Sequence, residues 1–348
     1  MIEGVIKTEA MYRANTLDSS SSLKEFSLDR KKYYRKYILR EDVEDKDTQA
    51  SVMGRIVETL LLEPEEFDNR FYMSSCVEAP SALMLAFVNA LYKFTKEATT
   101  EDGHVKRTFE EISKDAYVES GFKIKYEAVI NKFVGSDAEI FYNEMRTVKS
   151  KGLVVVTAQD VGNAEKIVEE LRNNSVTKDV VNLVSSARYE VYNQIQIEGY
   201  TVGDHQFKSM MDKMIIDHEN KTIEVYDLKC TWSVENFLEE YYLYRRAYIQ
   251  AFLYYTATLH FKNSIPEIKD YYVHPPKFIV CDSTNYYNPL IYKLSTKDLL
   301  NAYEGFTYKN REYVGVESLI KDLKWAIENN IWNISRENSA LNGLVNIM

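Results

Sequence analysis

Between Arg188 and Trp232 the sequence changes its period, and that change restricts the fold more than any other feature. "RYEVYNQIQIEGYTV", "FKSMMDKMIID" and "KTIEVYDLKCTW" alternate apolar and polar residues, the two-residue repeat of strands with one face turned to a core. The polar turn "DHENK" joins the last two, so the three stretches are expected to form an antiparallel meander. Asp212 falls in the middle of the second stretch, while Asp227 and Lys229 fall near the end of the third. Side chains two apart on a strand project from one face, which aims that acid and that base into the same small volume. Neighbouring strands lie about 5 Å apart, so a suitable register brings Asp212 close to Asp227.

The N-terminal half has the other period. In "SVMGRIVETLLLEPEEF", Met53, Ile56, Val57, Leu60 and Leu61 form the stripe of an amphipathic helix that should stop before Pro64, with "PEEFDNRF" as a further helix. "LDSSSSLKEF" reads as a helix start with Ser22 as N-cap and Glu25 completing a capping box. Helical patterning continues from Ser81 to about Lys149, and "GLVVVTAQDVGNAEKIVEELRNN" reads as a short strand followed by a helix capped by Thr157 and Asp160. After the meander, "VENFLEEYYLYRRAYIQAFLYYTATLHF" is expected to be one long helix with Arg246, Gln250 and Tyr254 along one side. "KFIVCDS" and "LIYKLS" should add strands, and "VESLIKDLKWAIENNIW" a closing helix.

The expectation is one α/β (α+β) domain over residues 1–348: a mainly helical part to about residue 150, a core of about 151–300, and a closing segment 301–348. With 348 residues, 45% of them hydrophobic and 13% aromatic, the chain can bury a substantial core. No apolar run is long enough to span a membrane, and "MIEGVIKTEA" lacks a signal-like layout, so the expected location is cytoplasmic. Cys76, Cys230 and Cys281 lie far apart in sequence, which argues against a disulfide framework or a zinc site and for reduced thiols.

A net charge of −10 excludes a protein that coats nucleic acid non-specifically, because such affinity comes from cations neutralising phosphates. The basic run "DRKKYYRKYILR" is either a solvated helix face or a local nucleic-acid contact. For Asp227 and Lys229 the bland alternative is a surface ion pair worth about 0–1 kcal/mol. Two carboxylates converging in a half-buried site would instead repel one another unless protonated or bridged by a cation, and Mg²⁺ suits hard oxygen ligands. A lysine beside them can orient water or stabilise charge on a phosphoryl oxygen, which is the equipment of metal-assisted phosphodiester hydrolysis.

The set of motifs resembles the PD-(D/E)XK nuclease superfamily, particularly RecB-like and RecE-like exonucleases related to lambda exonuclease. Four motifs occur in that family's order: the helical "GRIVE", Gly54 to Glu58; Asp212 in "MMDKM"; "DLK", Asp227 to Lys229; and "QAFLY", Gln250 to Tyr254. "SSSSLKEFSLDRKKYY" is similar to the family's opening helix, and "SKGLVVVTAQDVGNAEKIVEEL" to its lead-in to the core. The resemblance implies a restriction-endonuclease-like core of a mixed sheet flanked by helices. It implies that Asp212 and Asp227, with the Leu228 carbonyl and Glu58, ligate Mg²⁺ or Mn²⁺, and that Lys229 positions the attacking water. Gln250 and Tyr254 would face the metal and the DNA strand, and Arg55 and Arg246 are candidates for phosphate contacts. Glu58 departs from the histidine of RecB-like members, Met211 stands where many members have a small or charged residue, and the turn after Asp217 is long and polar.

As a function, the resemblance implies a metal-dependent exonuclease acting at double-stranded DNA ends in phage-type recombination or repair. The partner would be a single-strand annealing protein. No GxxxxGK[ST] is present, so an ATP-driven motor is not expected, and a homo-oligomeric ring like that of the lambda and RecE relatives would keep the enzyme on DNA. The alternatives are a catalytically silent relative that grips DNA ends or a protein, and an endonuclease of the same fold.

Overall fold

A computed structural model describes residues 9–41, 48–76, 78–342 and 344. The chain divides into two compact units, one comprising Met1–Asp45 and Leu171–Met348 and the other Lys46–Glu170.

The first unit is built on the expected meander. Tyr189–Val202, His205–Asp217 and Thr222–Thr231 are successive antiparallel strands. The sheet continues in parallel through Lys277–Asp282 and closes antiparallel on Leu290–Lys293, while Tyr272–Val273 pairs with the start of the third strand. It is therefore a mixed sheet flanked by helices, the α/β class expected from the sequence. The polar turn after Asp217 is short and well tied: Asp217 Oδ1 accepts the backbone N–H groups of Glu219 and Asn220 at 2.9 and 3.0 Å, and the Arg188 guanidinium holds Oδ2 at 2.7 Å. The register is thereby fixed, with Asp217 opposite Thr222 and Lys213 opposite Tyr226.

These contacts, the Arg188 guanidinium foremost, hold the Asp217 carboxyl well below the usual carboxylate range. A carboxyl depressed by folding contributes stability above its unfolded value near 4 and loses it as pH falls towards its native value. Asp217→Asn should lower Tm at pH 7 by on the order of 5 °C, with the difference from the native protein shrinking towards pH 2. Thermal unfolding across that range checks this; a gap that stays constant with pH would contradict it.

The helix Ala247–Asn263 lies across the sheet and is buried on nearly all sides, as a helix apolar around its whole circumference must be. Tyr248, Ile249, Leu253, Ala257 and Phe261 join Met211, Met214, Ile216, Ile223 and Val225 of the strands in one core. Ser20–Leu28 packs on the same core through Leu23 and Phe26. Its N-cap is Ser19, not Ser22: Ser22 stands at the third helical position and completes the capping box itself, a role expected for Glu25. Asp29, in extended backbone, ends this helix and caps a separate short one, Arg30–Tyr33, that opens the basic run, and three cations of the run are committed to carboxylates: Arg30 to Asp322, Lys32 to Glu25 at 2.9 Å, and Arg35 to Glu41.

The predicted long helix from Val234 is not continuous. A short turn Val234–Asn236 and a wide-turn helix Leu238–Tyr244 precede it, and Arg246 adopts φ 56°, ψ 41° as the cap of Ala247–Asn263. A left-handed backbone at a non-glycine residue cannot continue a helix, so Arg246 does not share the helical face of Gln250 and Tyr254.

Cys230 and Cys281, 51 positions apart, are register partners on adjacent parallel strands and remain free thiols. A hydrogen bond with Cys230, then burial, pushes the Cys281 thiol up, which keeps it protonated.

The second unit is mainly helical. Ala82–Ala98, Phe109–Ser120, Tyr126–Phe133 and Asp137–Val148 enclose Phe87, Leu91, Val129, Phe133 and Phe141. Two three-residue strands, Phe71–Met73 and Val154–Val156, pair in parallel, and Thr157 with Asp160 caps the helix that follows as expected. The Met53, Ile56, Val57 and Leu61 stripe of Gln49–Leu62 is buried, and the helix ends before Pro64. Among the described residues no helix is long and apolar enough to cross a membrane.

Candidate active site

The second and third strands stop exchanging ladder hydrogen bonds at the Lys213–Tyr226 pair. One step further along the same register Asp212 would stand opposite Asp227. There the third strand turns to its other neighbour, where Asp227 pairs with Phe278 and Lys229 with Val280. The Leu228 N–H is left without a ladder partner on the meander side, and the Asp212 carboxylate takes it at 2.6 Å. A side chain thus replaces the backbone where the strands part, which places the two acidic residues together in a buried notch. Asp212 is 9% exposed and Asp227 2%.

Each oxygen of Asp227 has a distinct neighbour. Oδ1 accepts from Gln250 Nε2 at 2.7 Å. Oδ2 is buried without a hydrogen-bond donor in good geometry and meets the Lys229 ammonium as an ion pair. Lys229 Nζ also lies 3.4 Å from the Leu228 carbonyl, so one ammonium bridges two of the oxygens assigned to the metal by resemblance. The lysine side chain keeps 22% of its exposure, giving the site an opening to solvent.

The helix Ala247–Asn263 supplies the floor. Gln250 Nε2 donates to Tyr254 Oη at 2.8 Å, and Tyr254 Oη–H donates to the Met210 carbonyl at 2.6 Å. Burial first, then the charges of Asp227 and Asp212, pushes the Tyr254 phenol far up, so it remains a donor throughout the physiological range. Gln250 and Tyr254, one helical turn apart, fix the orientation of Asp227 from below.

Sequence reasoning missed Lys24. From Ser20–Leu28 its Nζ approaches Gln250 Oε1 at 3.3 Å, and burial with the neighbouring ammonium of Lys229 lowers it to about 8. The one signal for it in the sequence is a lysine directly after Leu23 on a helix similar to the family's opening helix. Arg246, expected to contact phosphate, instead donates from Nη1 to the Ser27 carbonyl at 2.7 Å and ties down the end of that helix. What the structure contradicts is the alignment of Arg246 with Gln250 and Tyr254, because its left-handed backbone caps their helix and does not continue it.

Glu58 and Arg55 stand on Gln49–Leu62 in the second unit, both half-buried. Arg55 lines a cavity of about 240 Å³ within that unit, together with Asn89, Lys149 and Asp160.

Among the described residues no group of three or more His, Cys, Asp or Glu side chains assembles that could hold a metal ion. The pair Asp212 and Asp227, with the Leu228 carbonyl, is an all-oxygen set. It fits Mg²⁺, which keeps several waters and is bound through one or two carboxylates plus substrate phosphate, and does not fit Zn²⁺.

No family model matches the chain, and no curated protein matches it. Among solved structures it is similar to a protein named "Putative exonuclease" from Eubacterium rectale, at 12% identity, covering 94% of this chain and 88% of that one with a TM-score of 0.47.

Proposed function

We propose that the chain is a Mg²⁺- or Mn²⁺-dependent nuclease of the PD-(D/E)XK type that removes nucleotides from the ends of duplex DNA. One observation carries the reading: acidic residues from two neighbouring strands meet where the ladder opens, with a lysine ammonium on the second. A stability role alone does not account for that arrangement, because taking charges out of water costs several kcal/mol per ion and a hydrophobic replacement is commonly no less stable.

A bound divalent ion would supply Lewis-acid polarisation of the scissile phosphate and a water of lowered pKa. Asp212 and Asp227 would hold it, with the Leu228 carbonyl as a further oxygen. Lys229, once released from its ion pair, orients the attacking water and stands beside the phosphoryl oxygens that gain charge. Gln250 keeps Asp227 in one rotamer, and Tyr254 fixes Gln250, so the carboxylate need not reorganise as the phosphate arrives. Glu58 as an additional ligand, Arg55 as a phosphate contact, a ring of identical subunits and an annealing-protein partner belong to this reading through the motif resemblance.

Linear and covalently closed circular duplexes of the same sequence separate end-directed from internal cleavage. With Mg²⁺ the linear form should release acid-soluble nucleotides while the circle stays intact. Nicking or linearisation of the circle would make the protein an endonuclease of this fold. Absence of cleavage of both would leave it a DNA-end or protein-binding relative.

A further inference from the structure

Two cations answer the buried carboxylate of Asp227, and a third, Arg245, acts on one of them. Lys229 pairs with it directly. Lys24 reaches it through Gln250, whose Oε1 meets the Lys24 ammonium at 3.3 Å while its Nε2 donates to Asp227 at 2.7 Å. Arg245 is exposed and held 4.4 Å over the Tyr241 ring, and Tyr241 is itself fixed by a 3.0 Å hydrogen bond from its hydroxyl to the Cys230 carbonyl, next to Lys229. Lys24 feels the repulsion of Lys229, the attraction of Asp227 and the weaker repulsion of Arg245.

Both carboxylates of the notch are already engaged, Asp212 by the Leu228 N–H and Asp227 by Gln250 and Lys229, so the outer cations are left to answer an anion that comes from outside. The position of Lys24 is also rigidly prepared. Leu23 and Phe26 anchor its helix in the core, and Arg246 clamps the helix end through the Ser27 carbonyl. A lysine serving only as a surface solubiliser needs no such support, and one serving only to hold Gln250 needs no second cation beside it.

We propose that Lys24, with Arg245 at its outer side, binds a phosphate oxygen of the nucleic-acid strand that enters the Asp212–Asp227–Lys229 centre. This assignment rests on the nuclease reading above. It adds a contact from the Ser20–Leu28 helix that none of the four motifs includes. Phosphate contact carries no sequence information, so the two residues would affect affinity and register for every sequence alike.

The test compares the native chain with Lys24→Met, Lys24→Arg and Arg245→Gln. Binding of a fluorescent duplex is titrated over a range of salt concentrations with Ca²⁺ in place of Mg²⁺, and steady-state hydrolysis is measured with Mg²⁺. Loss of one phosphate contact should reduce the slope of log affinity against log salt by about 1 for Lys24→Met and for Arg245→Gln. KM should rise about tenfold in Lys24→Met with a smaller change in kcat, and Lys24→Arg should restore most of both. A purely structural role would move Tm and kcat but leave the salt slope untouched. A native chain that cuts DNA, with variants of unchanged slope and KM, overturns this assignment alone. A native chain that neither binds nor cuts duplex overturns the nuclease reading and this assignment with it.

Discussion

Lys229→Ala should lower metal-dependent nucleotide release by about 10²–10⁴-fold, the range seen when one proton-transfer or charge-stabilising group is removed, while the fold survives. The ammonium touches Asp227 and the Leu228 carbonyl and keeps part of its solvent exposure, so its deletion leaves little cavity. Burial of Asp227 then lacks its counter-charge, yet Gln250 still donates to the other oxygen. Steady-state rates alongside a thermal melt check this: the variant should still melt cooperatively, at a Tm lowered by the loss of Asp227's counter-charge, and should differ from the native protein by orders of magnitude in rate. Equal rates would remove Lys229 from the chemistry.

The second large effect is expected for Asp227→Ala, which should abolish metal-stimulated hydrolysis and weaken divalent-ion binding by at least tenfold. The stability outcome is a balance. Gln250 Nε2 and the Lys229 ammonium each lose a partner, at about 1–3 kcal/mol for an unsatisfied buried group. Against this, Asp212 loses a like-charged neighbour, which offsets part of that cost. The net change in stability should therefore be small beside the loss of activity, which is the signature of a site kept for function. Calorimetric Mn²⁺ titration and a melt of the variant measure the two sides. A variant that binds Mn²⁺ as the native chain does would place the metal elsewhere.

Much of this centre was legible because its determinants are local. A strand alternates its faces with period two, so Asp227 and Lys229 were bound to share a side, whereas the polar turn between Asp217 and Thr222 left open the register that brings Asp212 to them, which the Asp217 and Arg188 contacts fix. The spacing of Gln250 and Tyr254 likewise needs only the helical repeat. What lay beyond the sequence was every feature set by tertiary contact. Nothing in the pattern "YLYRRAYIQ" shows that Arg246 takes a left-handed backbone, a conformation that a non-glycine residue keeps only where the surrounding structure over-determines it. Lys24 stands 226 residues from Gln250, and its alignment with the centre depends on Leu23 and Phe26 finding the same core as the central helix. The pairing of Cys230 with Cys281 depends on a parallel crossover that sequence spacing does not reveal. The same division explains the Ser20 helix. A serine run offers several caps of equal chemistry, and only the bridge between Asp18 and Phe207 sets where the extended chain ends and Ser19 becomes the cap.

The most direct test of the Asp212–Asp227–Lys229 centre is nucleotide release from linear duplex DNA as Mg²⁺ or Mn²⁺ is titrated into metal-free protein, run in parallel on the native chain and on Asp212→Asn. Release should be absent in chelator, rise to saturation with added ion for the native chain, and stay near background for the variant at every concentration. Release that persists in chelator, or that rises equally in both proteins, would contradict the assignment.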